Sequence, residues 1–334
     1  MGTLATESYI RLVNRETHAH SDQEFLDYVV FNDAAVPDRT AFIIGQSDDD
    51  PFPIIADDID KATAMGASFI VLTCNTAHYF YDHFQSLTPV PILHMPRGAV
   101  AHMAGQYPKE RFHRVGFLGT MGSRASGVYR QAVEEAGYTF VEPDDELQER
   151  ITSLIYDDVK GTGDLNLQRY ESVLQAMLDP AGTCRCDTLM LGCTELSVLN
   201  EAFPLPQLPI IDAQAVLVED TVAALGALAR THLEALRQAA AEQGERLTVV
   251  AMTGSVGKTT TKDLTRQLLA ASGPTVAPRA SFNNEIGLPL TVLEADESTR
   301  YLVLEMGASG PGHIAYLTDI APLDAAGVLM IGHA

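Results

Sequence analysis

Basic residues are scarce in this chain: 22 Lys and Arg stand against 44 Asp and Glu, a net charge of -22 over 334 residues. Long-range repulsion of that size argues against non-specific binding to nucleic acid or anionic membranes, so an anionic ligand must be met by donors placed locally. Cysteine is scarcer still, with four in the chain. That excludes a disulfide scaffold and leaves reduced thiols with individual roles. Cys184, Cys186 and Cys193 lie close together, but their spacing fits no common zinc pattern and no suitably spaced His follows. No apolar run approaches the roughly 20 residues of a membrane span. The first residues lack the basic region of a secretory leader, and no short repeat or low-complexity tract occurs. The expectation is a soluble cytoplasmic protein with neither nucleic-acid nor membrane partners.

What is present is a hydrophobic content of 46%, enough to bury the cores of two or three domains at roughly 100–200 residues each. The pattern alternates between helix and strand. An amphipathic helix is predicted over residues 3–18 and a strand over 28–31, with a polar loop over 32–40. A helix over 51–65 closes at Gly66 and leads into the apolar run 68–74. Further helices are predicted near 77–86, 125–136 and 166–178, with a long helical stretch between Val141 and Asp158. Strands are predicted over 90–95, 114–120, 138–141 and 208–212, and the run 187–193 is a strand as well. Residues 213–241 form a long helix, and near Gly244 the composition changes. From Leu247 the chain restarts as strand 248–252, the glycine turn 254–260 and a helix to Ala271, followed by strands 301–307 and 326–331.

Two segments share one design. Ser68 to Leu72 is a buried-type strand that delivers Cys74, followed by Asn75, Thr76 and His78; Thr188 to Gly192 delivers Cys193, followed by Thr194 and Glu195. In each, the residues after the cysteine can open a helix whose free N–H groups face the sulfur. A helix N-terminus lowers a thiol from its free value near 8.5, so both cysteines are expected to be available as thiolates. Two thiols on opposing lobes suit proton removal from a Cα on one face and proton return on the other. Asn75, Thr76 and Thr194, with neighbouring N–H groups, are the candidate donors to the carboxylate that takes up carbanion charge. His78, one turn beyond Cys74, either orients the thiolate or packs. Cys184 and Cys186 are expected to be structural or incidental.

The motifs Thr73-Cys74-Asn75-Thr76-Ala77-His78 and Gly192-Cys193-Thr194-Glu195 resemble the paired signatures of the aspartate/glutamate racemase family, over about residues 1–230. The resemblance implies a cofactor-independent racemase of two pseudo-symmetric parallel-sheet α/β lobes, acting on a small amino acid and forming a homodimer. It implies that Cys74 and Cys193 are catalytic. Arg39, in the loop Val36-Pro37-Asp38-Arg39-Thr40, would bind a substrate carboxylate, and Lys160, in Ile155-Tyr156-Asp157-Asp158-Val159-Lys160, the side-chain carboxylate of aspartate. Thr120 and Ser123 would lie in the second lobe's substrate turn. Glu195, where glutamate racemases carry histidine, favours the aspartate-type branch. Family members open with a strand and a Gly-Gly-Met-Gly turn; here Met1 and Gly2 remain and Thr3 replaces the next Pro, so by the resemblance Met1, Gly2 and Thr3 would touch substrate and the first lobe is expected to lack its first strand.

At the other end, Gly254-Ser255-Val256-Gly257-Lys258-Thr259-Thr260 has the parts of a phosphate loop, although Met252 occupies the first glycine position of the usual spacing. With Ser281 to Gly287 and Leu304 to Ala308 it resembles the central domain of Mur ligases, in particular the enzyme adding D-alanyl-D-alanine. The resemblance implies ATP at Gly254, Ser255, Gly257, Lys258, Thr259, Thr260 and Asn283, with Mg²⁺ at Thr259 and Glu305. It covers residues 247–334 alone, so ligase activity is not expected.

The expected architecture is thus a first lobe over 1–97 plus 205–230, a second lobe over 98–204, a helical linker over 231–246 and a truncated P-loop α/β domain over 247–334. The expected activity interconverts L- and D-aspartate or glutamate for peptidoglycan synthesis. Two readings compete with it: an ATP-binding Mur-ligase-related protein whose racemase lobes are inert, and an inactive fusion fragment.

Overall fold

Alternating helical and strand periodicity produces two separate α/β units: Met1–Val13 with Tyr28–Thr221, and Asn14–Asp27 with Val222–Ala334. A computed structural model describes residues 2–17, 22, 25–278, 281–308 and 310–330. Met1, residue 18 at the end of the first expected helix and residue 331 at the end of the last expected strand lie outside the described residues.

The first unit opens with α1 (Thr3–Glu16), which buries Ala5, Tyr9, Leu12 and Val13, an i, i+4, i+7, i+8 stripe. α2 (Arg39–Ile43) starts where the Asp38 carboxylate accepts the Ala41 N–H at 2.9 Å. α3 (Phe52–Ala64) follows, then β1 (Ile70–Val71), a 3-10 turn (Thr76–Phe80), α4 (Tyr81–Leu87), β2 (Ile92–Leu93) and α5 (Met95–Gln106). β1 and β2 pair in parallel over Val36, Ile55, Ile59, Leu72 and Phe84.

The second lobe runs β3 (Arg114–Gly119), α6 (Met121–Ala125), α7 (Val128–Glu135), β4 (Thr139–Val141) and α8 (Asp145–Ser153), which passes directly into a π-helical stretch (Leu154–Thr162). α9 (Leu167–Leu178), β5 (Thr188–Gly192), α10 (Thr194–Ala202) and β6 (Ile210–Asp212) complete it, and α11 (Ala213–Glu242) leads onward. Its sheet is parallel, in the order β4-β3-β5-β6. β5 is buried along its whole length, as expected of a strand covered on both faces.

In the second unit, β7 (Thr248–Thr253), α12 (Lys258–Ala270), β8 (Thr275–Val276), α13 (Gly287–Leu293), β9 (Tyr301–Glu305), α14 (His313–Ile320) and β10 (Ala325–Val328) build a parallel sheet ordered β10-β7-β9-β8.

Several expectations change. Residues 28–31 are not a strand: they join no ladder, and Tyr28, Val29 and Val30 are exposed, because an apolar run becomes a strand only beside a partner. The helix read over 125–136 begins only at Val128, since Gly127 takes a φ of 70° and separates it from the short α6. β6, placed by sequence with the first lobe, hydrogen-bonds β5 in the second lobe's sheet. Residues 231–242, read as linker, belong to a helix whose Ala229, Leu233 and Ala240 sit in the second unit's core with Val249 and Leu302.

Candidate functional site

The two cysteine segments converge. Cys74, Asn75 and Thr76 leave the carboxyl end of the first lobe's sheet, while Cys193, Thr194 and Glu195 leave β5, and all six line one cavity. Gly2, Asp38, Arg39, Thr40, Thr120, Tyr156 and Lys160 complete the wall. A Cβ on Gly2 would lie 2.7 Å from Glu195 Oε1, so a side chain there would have to displace the Glu195 carboxylate. Thr3 is exposed and does not line the cavity, contrary to expectation. Ser123 also stands behind the wall: its hydroxyl meets those of Thr76 at 2.8 Å and Thr120 at 3.1 Å, so it holds the lining threonines in place.

The thiols have different charged neighbours. Beside Cys74 lies Arg39, whose guanidinium is held cationic above its ordinary value, first by the charge of Cys74 and then by Asp38 and Glu195, against the opposing effect of burial. Its Nη1 donates to the carbonyl of Pro37 at 3.0 Å. Its Nε is buried without a partner, a donor able to meet an acceptor on a ligand.

Cys193 is the N-cap of α10, but the expected lowering does not follow. Burial and then the Glu195 carboxylate push its thiol well above the usual range; the Lys160 charge and the Glu195 N–H act the other way and are outweighed. The proton is accordingly held on sulfur, and Sγ donates to Glu195 Oε2 at 2.9 Å.

Lys160 lies 3.7 Å from the other Glu195 oxygen and 4.2 Å from the centre of the Tyr156 ring. Burial acts to lower its ammonium, but Glu195 and Cys193 raise it overall. The π-helical stretch that carries both residues replaces the plain helix expected there; such irregular turns are frequent at functional sites. Asp38, Thr40 and Tyr156 were not singled out by sequence, though they flank Arg39 and precede Lys160 by one turn.

His78 settles between its two readings. The Met95 N–H donates to its Nε2 at 3.2 Å, so Nδ1 carries the proton and donates to the Cys74 carbonyl at 2.9 Å. Burial lowers its pKa, which keeps it neutral. It fixes the backbone of Cys74 rather than the thiolate. Cys184 and Cys186 are free thiols in the second lobe's hydrophobic core.

In the second unit, Gly254, Ser255 and Gly257 lie between β7 and α12, and Lys258, Thr259 and Thr260 form the helix's first turn. Lys258 Nζ donates to the Gly254 carbonyl at 2.8 Å. Glu305 ends β9 beside β7; Asn283 donates to its Oε1 at 2.8 Å, and its Oε2 is buried without a partner. Among the described residues no helix is long and apolar enough to cross a membrane.

Comparison with known proteins follows the same division. Residues 252–334 match the Mur ligase middle domain. Over 88 residues the chain is 54% identical to the UDP-N-acetylmuramoyl-tripeptide–D-alanyl-D-alanine ligase of Mycobacterium leprae, covering 26% of this chain and 17% of that protein. To the Bacillus subtilis enzyme of the same name it is 44% identical over 117 residues, 35% of this chain and 24% of the relative. The chain thus spans less than a quarter of the length of these relatives. Among solved structures, the aspartate racemase of Picrophilus torridus superposes with a TM-score of 0.54 at 24% identity, over 66% of this chain and 90% of that one. An aspartate racemase homologue from Pyrococcus horikoshii gives 0.51 at 18% identity, over 66% and 92%. These two share the fold. Residues 1–221, well over half of the chain, match the Asp/Glu/Hydantoin racemase family model, and the protein belongs to that family.

Proposed function

We propose that the first unit is a cofactor-independent amino-acid racemase that interconverts L- and D-aspartate, with glutamate as the alternative substrate, through Cys74 and Cys193 as two bases. The observation that carries this reading is that both cysteines line one cavity together with Arg39 and Lys160. Two cations suit a substrate with two carboxylates. The Cys74 thiolate takes the α-proton from one face of Cα, and the Cys193 thiol gives its proton to the other, so that one S–H bond forms as the other breaks. Charge developing in the substrate carboxylate is met by the Arg39 guanidinium and by Asn75, Thr76 and Thr194. Because Cys193 holds its proton, the enantiomer presenting its α-hydrogen to Cys74 reacts first.

The test is incubation with L-aspartate or L-glutamate in D₂O, following α-proton loss by NMR and handedness by chiral chromatography. Turnover by the wild-type protein that disappears in Cys74→Ala and in Cys193→Ala is expected. Turnover that survives either substitution refutes the two-base reading.

A second activity is favoured by the orphaned Glu305 oxygen and the glycine loop. We propose that the second unit holds a Mg²⁺–nucleotide, with Lys258 and the loop N–H groups on phosphate and Thr259 and Glu305 on the metal. The ion would neutralise phosphate charge when bound. Calorimetry with Mg–ATP tests it, and no heat of binding would count against it. The pairing with a Mur-type segment further supports supply of D-aspartate or D-glutamate to peptidoglycan. Deletion of the gene with unchanged D-amino-acid content of the wall would remove that support.

A further inference from the structure

Tyr129 lies outside the cavity wall, yet it touches the residue next to the first catalytic cysteine. It projects from α7 in the second lobe and is buried, as is Asn75 in the first. Its hydroxyl donates a short hydrogen bond to Asn75 Oδ1. The ring is seated by Phe117, 4.9 Å away between centroids, and by Gly192, where a Cβ would lie 3.1 Å from Tyr129 Cε2. Gly192 immediately precedes Cys193, so the strand that delivers one cysteine also makes the bed for the residue that reaches the other segment.

An asparagine amide has an acceptor end and a donor end, and which faces the ligand depends on what holds the other. With Oδ1 occupied by Tyr129, Asn75 Nδ2 is left buried without a partner, on a side chain that lines the cavity. A buried donor with no protein acceptor is a site for an acceptor on the ligand. The reverse orientation would turn a carbonyl oxygen toward the substrate carboxylate, beside the sulfur that must approach Cα.

We propose that Tyr129 is a positioning residue for the racemase: its hydroxyl locks the Asn75 amide with its N–H donors toward the substrate carboxylate, coupling the second lobe to the donor beside Cys74. This rests on the proposed racemase reading, because it assigns the anion that Asn75 meets. Burial pushes the Tyr129 phenol well above its ordinary value, which keeps the donor protonated through the working pH range.

The experiment is a double-mutant cycle of Tyr129→Phe, Asn75→Ala and the pair, in the full chain. It reads KM and kcat for aspartate exchange in D₂O and, independently, the Kd for succinate by calorimetry. Tyr129→Phe keeps the ring packing and removes the hydroxyl. It is expected to raise KM and the succinate Kd about tenfold, the scale of one hydrogen bond to a charged group. In the Asn75→Ala background the same substitution is expected to do nothing further. Additive effects, or an effect of Tyr129→Phe that persists without Asn75, overturn the proposal, since a packing role would not pass through the amide. Succinate binding with full coupling but no exchange supports the Tyr129 assignment while refuting the racemase. A wild-type protein that neither binds succinate nor exchanges aspartate overturns both.

Discussion

Replacing Lys160 by Met keeps the length and the apolar stem of the side chain and removes its charge. In the structure that charge lies 3.7 Å from Glu195 Oε1 and over the Tyr156 ring at 4.2 Å. Two unit charges about 4 Å apart attract by about 4 kcal/mol at an effective dielectric constant near 20, an upper bound before desolvation is subtracted. Lys160 keeps a quarter of its side chain in solvent, whereas Glu195 is almost fully buried. The expected loss of stability is therefore about 2 kcal/mol, below the roughly 3–5 kcal/mol of a fully buried pair. Its pH dependence follows from the raised ammonium. A group whose pKa rises on folding gives its full stabilisation below the unfolded value, about 10.4 for Lys, and loses it as pH climbs through the folded value. The gap in stability between wild type and Lys160→Met is thus constant from about pH 6 to about pH 9 and narrows only above about pH 10.4. For substrate, losing a charge-assisted hydrogen bond of about 1.5–3 kcal/mol lowers kcat/KM for aspartate roughly 10- to 100-fold. Alanine, which lacks the second carboxylate, is expected to lose no more than about threefold of whatever exchange it shows, the ordinary scatter of such contacts. Denaturant melts across pH and D₂O exchange with both amino acids make the measurement. Equal losses with aspartate and alanine refute the assignment of Lys160 to the side-chain carboxylate.

Three further outcomes are expected. In Glu195→Gln the carboxylate that helps hold the proton on Cys193 is gone, so the thiol titrates at lower pH than in wild type; thiolate absorbance that stays in place contradicts the account. Gly192→Ala would place its Cβ 2.1 Å from Phe117 Cε2, an overpacking worth about 1–3 kcal/mol, and an unchanged melting temperature would show that this strand end yields freely. Cys186→Ser leaves aspartate exchange intact, because the Cys186 thiol is raised to about 12 chiefly by burial and lies in the second lobe's core; parallel loss of exchange and retained melting temperature would move it into the site.

Much of this protein was legible along the chain because it is written locally. Strand-then-cysteine segments, the helix starting at Asn166 and the glycine loop before Lys258 each rest on a few consecutive residues, and they fall where local pattern puts them. What failed depended on partners distant in sequence. Residues 28–31 have strand composition but no neighbour to pair with, and β6 chose the second lobe because β5 offers it a ladder. Residues 231–242 read as a linker because an Ala- and Leu-rich helix does not reveal which face will be covered.

The sequence by itself determined the candidate reactive groups and the scaffold type that delivers them: the two thiols follow from residue type and short-range pattern, Arg39 and Lys160 from the family resemblance. Only the tertiary structure decided their electrostatics and their aim. Cys193 sits at a helix N-terminus, which alone would lower its pKa, but burial and the Glu195 carboxylate reverse the sign. Asn75 is a donor or an acceptor according to which end Tyr129 occupies, and Tyr129 stands 54 residues away. Desolvation and hydrogen-bond direction are set by every atom packed around a group, and that packing exists only once the lobes have closed on each other.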